Sequence, residues 1–176
     1  MEEDGRATPP FGFRPIQFVD VMPRTFDQKI DLFPPALEAE APLGLYTFQP
    51  DPASERFPLA LISPASDRTI SSMMGELPRP AVALLMNPAD AVPRGLKDDD
   101  PVRIFNERGE VQCAVKIEAT IREGTVSLPK GLWRKSTWNQ LTSNALVPDS
   151  LTDLGAGACF NDARVEVAKL PRDQSR

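Results

Sequence analysis

Residues 57–72, FPLALISPASDRTISS, pass from apolar to polar within a few positions. Leu59, Ala60, Leu61 and Ile62 form a short apolar run that stops at Ser63 and Pro64. A run this short between breakers predicts a core strand, not a helix. The next residues, Ser66, Asp67, Arg68, Thr69, Ser71 and Ser72, carry hydroxyls, an Arg fork and many backbone N–H groups. Loops held by a rigid scaffold are where binding usually sits, and these donor types suit an anionic ligand. The plain alternative is a strand exit with a solvated polar tip.

Downstream, Val82–Met86 reads as a second buried strand. Asn87 and Pro88 then supply an N-cap and a first helical residue, and Gly95 suits the stop. Pro93 limits that helix to one or two turns. Val102–Phe105 is a strand, and Asn106–Gly109 a tight turn with Gly109 at positive φ. The return strand runs from about Glu110 to Ile121. Val111, Cys113, Val115, Ile117, Ala119 and Ile121 face one side, which places one face in the core. Thr125–Leu128 and Arg164–Leu170 are two further strands. Residues 134–162 read as a long ordered loop, anchored by Leu141, Leu146, Leu151, Leu154 and Phe160. Short strands with compact crossing connections predict a small closed barrel, because closure removes sheet edges.

Residues 1–56 differ, with prolines at 9, 10, 15, 23, 34, 35, 42, 50 and 52. Proline fixes φ and removes a donor, so long regular elements are not expected. Phe18–Val21 and Lys29–Phe33 alternate like strands. The segment reads as an extended arm and linker on a partner surface, residues 57–170 as the domain proper, and residues 171–176 as a frayed tail.

A chain of 176 residues can bury a core without staples. With a net charge of −5 and no cluster of basic residues, neither nucleic acid nor membrane is an expected partner. There is no histidine, which removes the commonest general base and metal ligand. The two cysteines, Cys113 and Cys159, lack CxxC spacing and read as reduced, buried thiols. The N-terminus MEEDGR is acidic and has no apolar core segment, so no signal peptide and a cytoplasmic location are expected.

Several segments together resemble a known family. They are LALISPASDRTISS (59–72), MNPADAVPRGLKDDDPVRIFNERGEV (86–111), VSLPKGLW (126–133), SNALVPDSLTDLGAGACFND (143–162) and VEVAKL (165–170). Their order and spacing are similar to the C-terminal dinucleotide-binding domain of molybdopterin oxidoreductases, the group of formate dehydrogenases, dissimilatory nitrate reductases and relatives. MPRTFDQKIDLF (22–33) resembles the family's segment just upstream. The resemblance implies a mainly β fold, a double-psi β-barrel with short helices. It also implies a ligand, molybdopterin guanine dinucleotide, with molybdenum or tungsten held by other domains.

By the same resemblance, Ser63, Pro64, Ala65, Ser66, Asp67, Arg68, Thr69, Ile70, Ser71 and Ser72 line the pterin and phosphates. Trp133, Asn144 and Asn161 complete the set; relatives often carry Lys where Asn161 stands. Each has a plainer alternative: a surface ion pair for Arg68, a barrel plug for Trp133, a turn role for Asn144. The resemblance implies that metal ligands and iron–sulfur cysteines lie elsewhere. The chain is thus expected to be inactive alone, a C-terminal domain or split subunit whose partners are the remaining domains or catalytic subunit. The competing class is a pterin-free barrel serving protein–protein assembly. An acid protease is a poor third: Asp153-Leu154-Gly155 lacks the hydroxyl that orients the carboxylate.

Overall fold

Alternating apolar residues build six short strands that close on one another. They are β1 (Leu59–Ile62), β2 (Ala83–Met86), β3 (Pro101–Phe105), β4 (Glu110–Ile117), β5 (Thr125–Ser127) and β6 (Ala163–Lys169). The computed structural model describes residues 10–12, 14–41, 43–48, 54–66, 71–78, 81–152 and 154–171. The chain divides into two units, residues 1–48 and 49–176.

In the second unit the strands form a closed barrel in the order β1-β5-β2-β4-β3-β6. β1 pairs with β5, and β2 with β4, in parallel; the other four pairings are antiparallel. Only β3 and β4 are joined by a tight hairpin. The link from β1 to β2 passes over β5, and the link from β4 to β5 passes over β2. Two overlapping crossovers of this kind make a double-psi β-barrel. The inward residues include Leu59, Leu61, Leu84, Met86, Val102, Ile104, Val111, Val115, Val126 and Val165, all buried. Each such side chain contributes about 1.5–3 kcal/mol by leaving water.

Local chemistry sets the short helix. The Asn87 carboxamide oxygen accepts from the Ala89 N–H at 2.8 Å, and Pro88 opens α2 (Pro88–Ala91). One 3-10 turn over Val92–Arg94 follows, and Gly95 stops it at φ +62°. Asp90, buried, accepts from the Gly124 N–H at 2.8 Å and so ties α2 to the turn before β5.

Three expectations change in this unit. β4 ends at Ile117, not Ile121. The Glu118 N–H bonds the Met86 carbonyl and its carboxylate accepts from Thr120, which turns the chain toward β5. Gly109 is not at positive φ. The Asn106 side chain shapes that turn instead, accepting from the Arg108 N–H at 2.9 Å, and glycine is required for space. A Cβ there would lie 2.9 Å from the Ala145 carbonyl oxygen. Among the loop's anchors Leu146 is buried, whereas Leu141, Leu151 and Phe160 are exposed and Leu154 is half-buried. Backbone and side-chain bonds hold that loop: Trp138 N–H to the Gln112 carbonyl, and Asn139 bridging Gln112 and Glu110.

The first unit contains α1 (Pro35–Glu40), opened by Pro35 at its first position. Phe18–Val21 and Lys29–Phe33 do not form strands. Asp20, Asp27 and Asp31 accept from the N–H groups of Ile16, Lys29 and Phe33, so local turns replace a ladder. Among the described residues no helix is long and apolar enough to cross a membrane.

Candidate functional site at one end of the barrel

Parallel pairing sends the ends of β1 and β5 out of the barrel side by side. The Leu128 N–H bonds the Ile62 carbonyl at 3.0 Å, and the Lys130 N–H bonds the Pro64 carbonyl at 3.1 Å. β6 runs antiparallel to β1, so the residues before it arrive at the same end. There the Ser63 N–H donates to Asn161 Oδ1 at 3.0 Å.

A pocket of about 260 Å³ opens at this end, lined by Ser63, Lys130, Ser143, Asn144, Val147 and Phe160. Ser63 is only 4% exposed, and its Oγ has no hydrogen-bond partner among the described residues. A buried hydroxyl without a partner costs about 1–3 kcal/mol, so such a group calls for an explanation. The Lys130 ammonium lies 5.9 Å from the centre of the Phe160 ring.

The wall bearing Ser143 and Asn144 is held from behind. Asn106, 9% exposed, donates from Nδ2 to the Leu146 carbonyl at 2.7 Å and the Arg164 carbonyl at 3.1 Å. It thus joins the β3–β4 turn, the pocket wall and β6.

Trp133 plays a different part. Its Nε1–H donates to the Ser72 carbonyl, and its ring lies where a Cβ on Gly75 would be, at 2.2 Å. Gly131, at φ +73°, backs onto Ser71, whose carbonyl oxygen would be 2.2 Å from an added Cβ. The residues after β5 therefore clamp the 71–75 segment, in which Ser71 and Met74 sit at φ +52° and +62°. Trp133 does not plug the barrel, since it remains 38% exposed.

The structure thus brings together Ser63, Asn144 and Asn161, and separately Ser71, Ser72 and Trp133. Pro64 and Ala65 are exposed and Ser66 is half-buried. Asp67, Arg68, Thr69 and Ile70 lie outside the described residues, as does Asp153. Sequence reasoning missed Lys130, Phe160 and Asn106. The Pro-Lys-Gly turn directly after a strand marked Lys130 as a candidate only once β5 was known to run beside β1.

A larger, shallower groove of about 430 Å³ lies beside Pro93, Arg94 and residues 166–169. The Arg94 fork is taken by Glu166 at 2.6 and 3.1 Å, and Lys169 pairs with Asp100 at 2.6 Å. Its charges are compensated internally, so the smaller pocket is the better candidate. Burial pushes the Cys113 thiol up to about 12, against a weaker opposing hydrogen bond with the Leu84 backbone. It is a neutral core side chain, not a metal thiolate. Cys159 is half-buried, not buried as expected.

Residues 59–164 match the family model described as "Molydopterin dinucleotide binding domain". The chain belongs to this family. A probable oxidoreductase of Bacillus subtilis is 38% identical over 87 residues, covering 49% of this chain and 13% of that protein. A dimethyl sulfoxide reductase of Haemophilus influenzae is 40% identical over 87 residues, covering 47% of this chain and 11% of that one. The chain thus spans about an eighth of these relatives. Acetylene hydratase from Pelobacter acetylenicus shares the fold, with a TM-score of 0.66 at 17% identity over 82% of this chain and 24% of its own. The molybdopterin dinucleotide-binding domain is therefore a cofactor-binding part, and its barrel is the family's barrel. The named relatives lend no support to the narrower formate dehydrogenase-like grouping.

Proposed function

We propose that the pocket at the ends of β1 and β5 holds part of a molybdopterin dinucleotide, with guanine as its base, in a larger oxidoreductase. The observation that carries this reading is a pocket lined by Ser63, whose buried hydroxyl has no partner among the described residues, in a chain of this family. Small-molecule sites run to about 300–1,000 Å³, so a pocket of this volume takes a portion of such a ligand. The donor set fits: a hydroxyl, an amide, an ammonium and an aromatic face suit phosphates and a flat heterocycle.

When bound, the cofactor supplies the redox chemistry. The chain's own residues bind and orient it. Asn161 fixes the Ser63 backbone; Asn106 holds the Asn144 wall; Trp133 holds Ser72, and Gly131 backs onto Ser71. The proposed contact set keeps Pro64 through Ser72 and Trp133 on the strength of the resemblance. Metal ligands and substrate contacts come from other domains or a catalytic subunit. In the first unit Phe26, Phe33 and Phe48 are exposed, which suits a segment that packs against such partners.

Backbone NMR with isolated molybdopterin guanine dinucleotide tests the reading. Shifts should cluster at Ser63, Lys130, Ser143, Asn144 and Asn161. Absence of shifts both alone and with the rest of the oxidoreductase present would favour the pterin-free assembly module.

A further inference from the structure

Lys130 is a half-buried cation on the pocket wall, and among the described residues no carboxylate forms an ion pair with it. Its described side-chain contact is the Phe160 ring, a weak cation–π partner at 5.9 Å. The same pocket holds the buried Ser63 hydroxyl without a partner. The Ser63 N–H is already taken by Asn161, so the hydroxyl is the group that Ser63 has left to offer. An ammonium and a hydroxyl that both line one small pocket, neither with an ionic or hydrogen-bond partner among the described residues, suit an oxyanion.

We infer that Lys130 and Ser63 form a phosphate subsite, so that this pocket takes a phosphoryl group of the ligand rather than its base or pterin ring. The inference rests on the cofactor reading above and assigns a part of the ligand to a named pair. The backbone supports it. Lys130 is held against Pro64 by its own N–H, and Gly131 at φ +73° turns the chain directly after it. The backbone that carries Lys130 on the pocket wall is therefore fixed. Lys acts here as a point charge, so affinity should fall with ionic strength.

The test uses the full chain, labelled with nitrogen-15 and titrated with inorganic pyrophosphate, guanosine monophosphate and guanosine. Pyrophosphate and the nucleotide should shift Ser63 and residues 128–131, and guanosine should not. Lys130→Met should weaken both phosphate ligands about tenfold, Lys130→Arg should recover most of the loss, and Ser63→Ala should weaken them less. An unchanged spectrum away from the site certifies that each variant is folded. Equal binding of guanosine and its monophosphate, unaffected by Lys130→Met, overturns the phosphate assignment and leaves the cofactor reading intact. Binding of the isolated cofactor with the same affinity to Lys130→Met does likewise. Silence of the pocket toward all probes, the cofactor included, both alone and with the rest of the oxidoreductase present, overturns both.

Discussion

Asn106 does more than any other single described side chain to shape the pocket from outside it. It bonds two carbonyls and two amide N–H groups from three separate segments. Asn106→Ala leaves the Leu146 and Arg164 carbonyls without their donor. The expected loss is about 2–3 kcal/mol in urea denaturation, with faster amide exchange over 143–147. A loss below about 0.5 kcal/mol would mean that water replaces the amide without cost. Cys113 gives a pH prediction. Its thiol ionises near 12 when folded but near 9.0 when unfolded. Above the lower value the unfolded chain releases a proton that the folded chain keeps, so this contribution is present below pH 9 and lost as pH rises toward 12. Wild-type stability should fall faster than that of Cys113→Ala, by up to about 1.4 kcal/mol per pH unit. Parallel curves would show that the thiol is not desolvated.

At the scale of elements, the pocket exists because two strand exits run side by side. β1 ends in the polar loop and β5 ends in the turn that holds it. Trp133 and Gly75 are the contact between them. Gly75→Ala would drive a methyl group into the indole. Trp133→Phe keeps a ring but loses the donor to Ser72. Both should raise amide exchange over 71–75, with Trp133→Phe costing about 1 kcal/mol or less overall. Exchange that stays at the wild-type level would mean that the segment is held by something other than this clamp. The same scale explains the errors about β4 and the first unit. Ala119 and Ile121 continue the period of two, but the crossover to β5 needs the chain to leave the sheet after Ile117. Phe18–Val21 alternates, yet Asp20 turns back on the Ile16 N–H and among the described residues of this unit no strand competes.

Across the whole molecule, closure makes the core continuous, and every strand lies between two others. Leu61 is fully buried on β1, between β5 and β6. Leu61→Ala should destabilise the barrel by about 2–5 kcal/mol, measured by urea denaturation. Circular dichroism and tryptophan emission should lose signal in one coincident transition, because Trp133 and Trp138 sit on loops bonded to the barrel. Separate transitions would show that the 134–147 loop opens before the strands do.

By itself the sequence determined where the six barrel strands lie, the short helix and the barrel. Periodicity and breakers report burial and turns, which are local properties. The co-ordered motifs from Leu59 to Leu170 pointed to the family for the same reason, since a motif is local spacing. Ser63 and Asn144 were expected at a site through that resemblance, and both line the pocket. The tertiary structure alone decided which residues share a pocket. Parallel pairing puts Lys130 beside Pro64, and a 98-residue separation brings Asn161 to Ser63. It also showed Trp133 clamping the segment after β1 and Asn106 acting as a brace. Long-range pairing depends on which strands close the barrel, and no window of sequence short enough to read holds both partners.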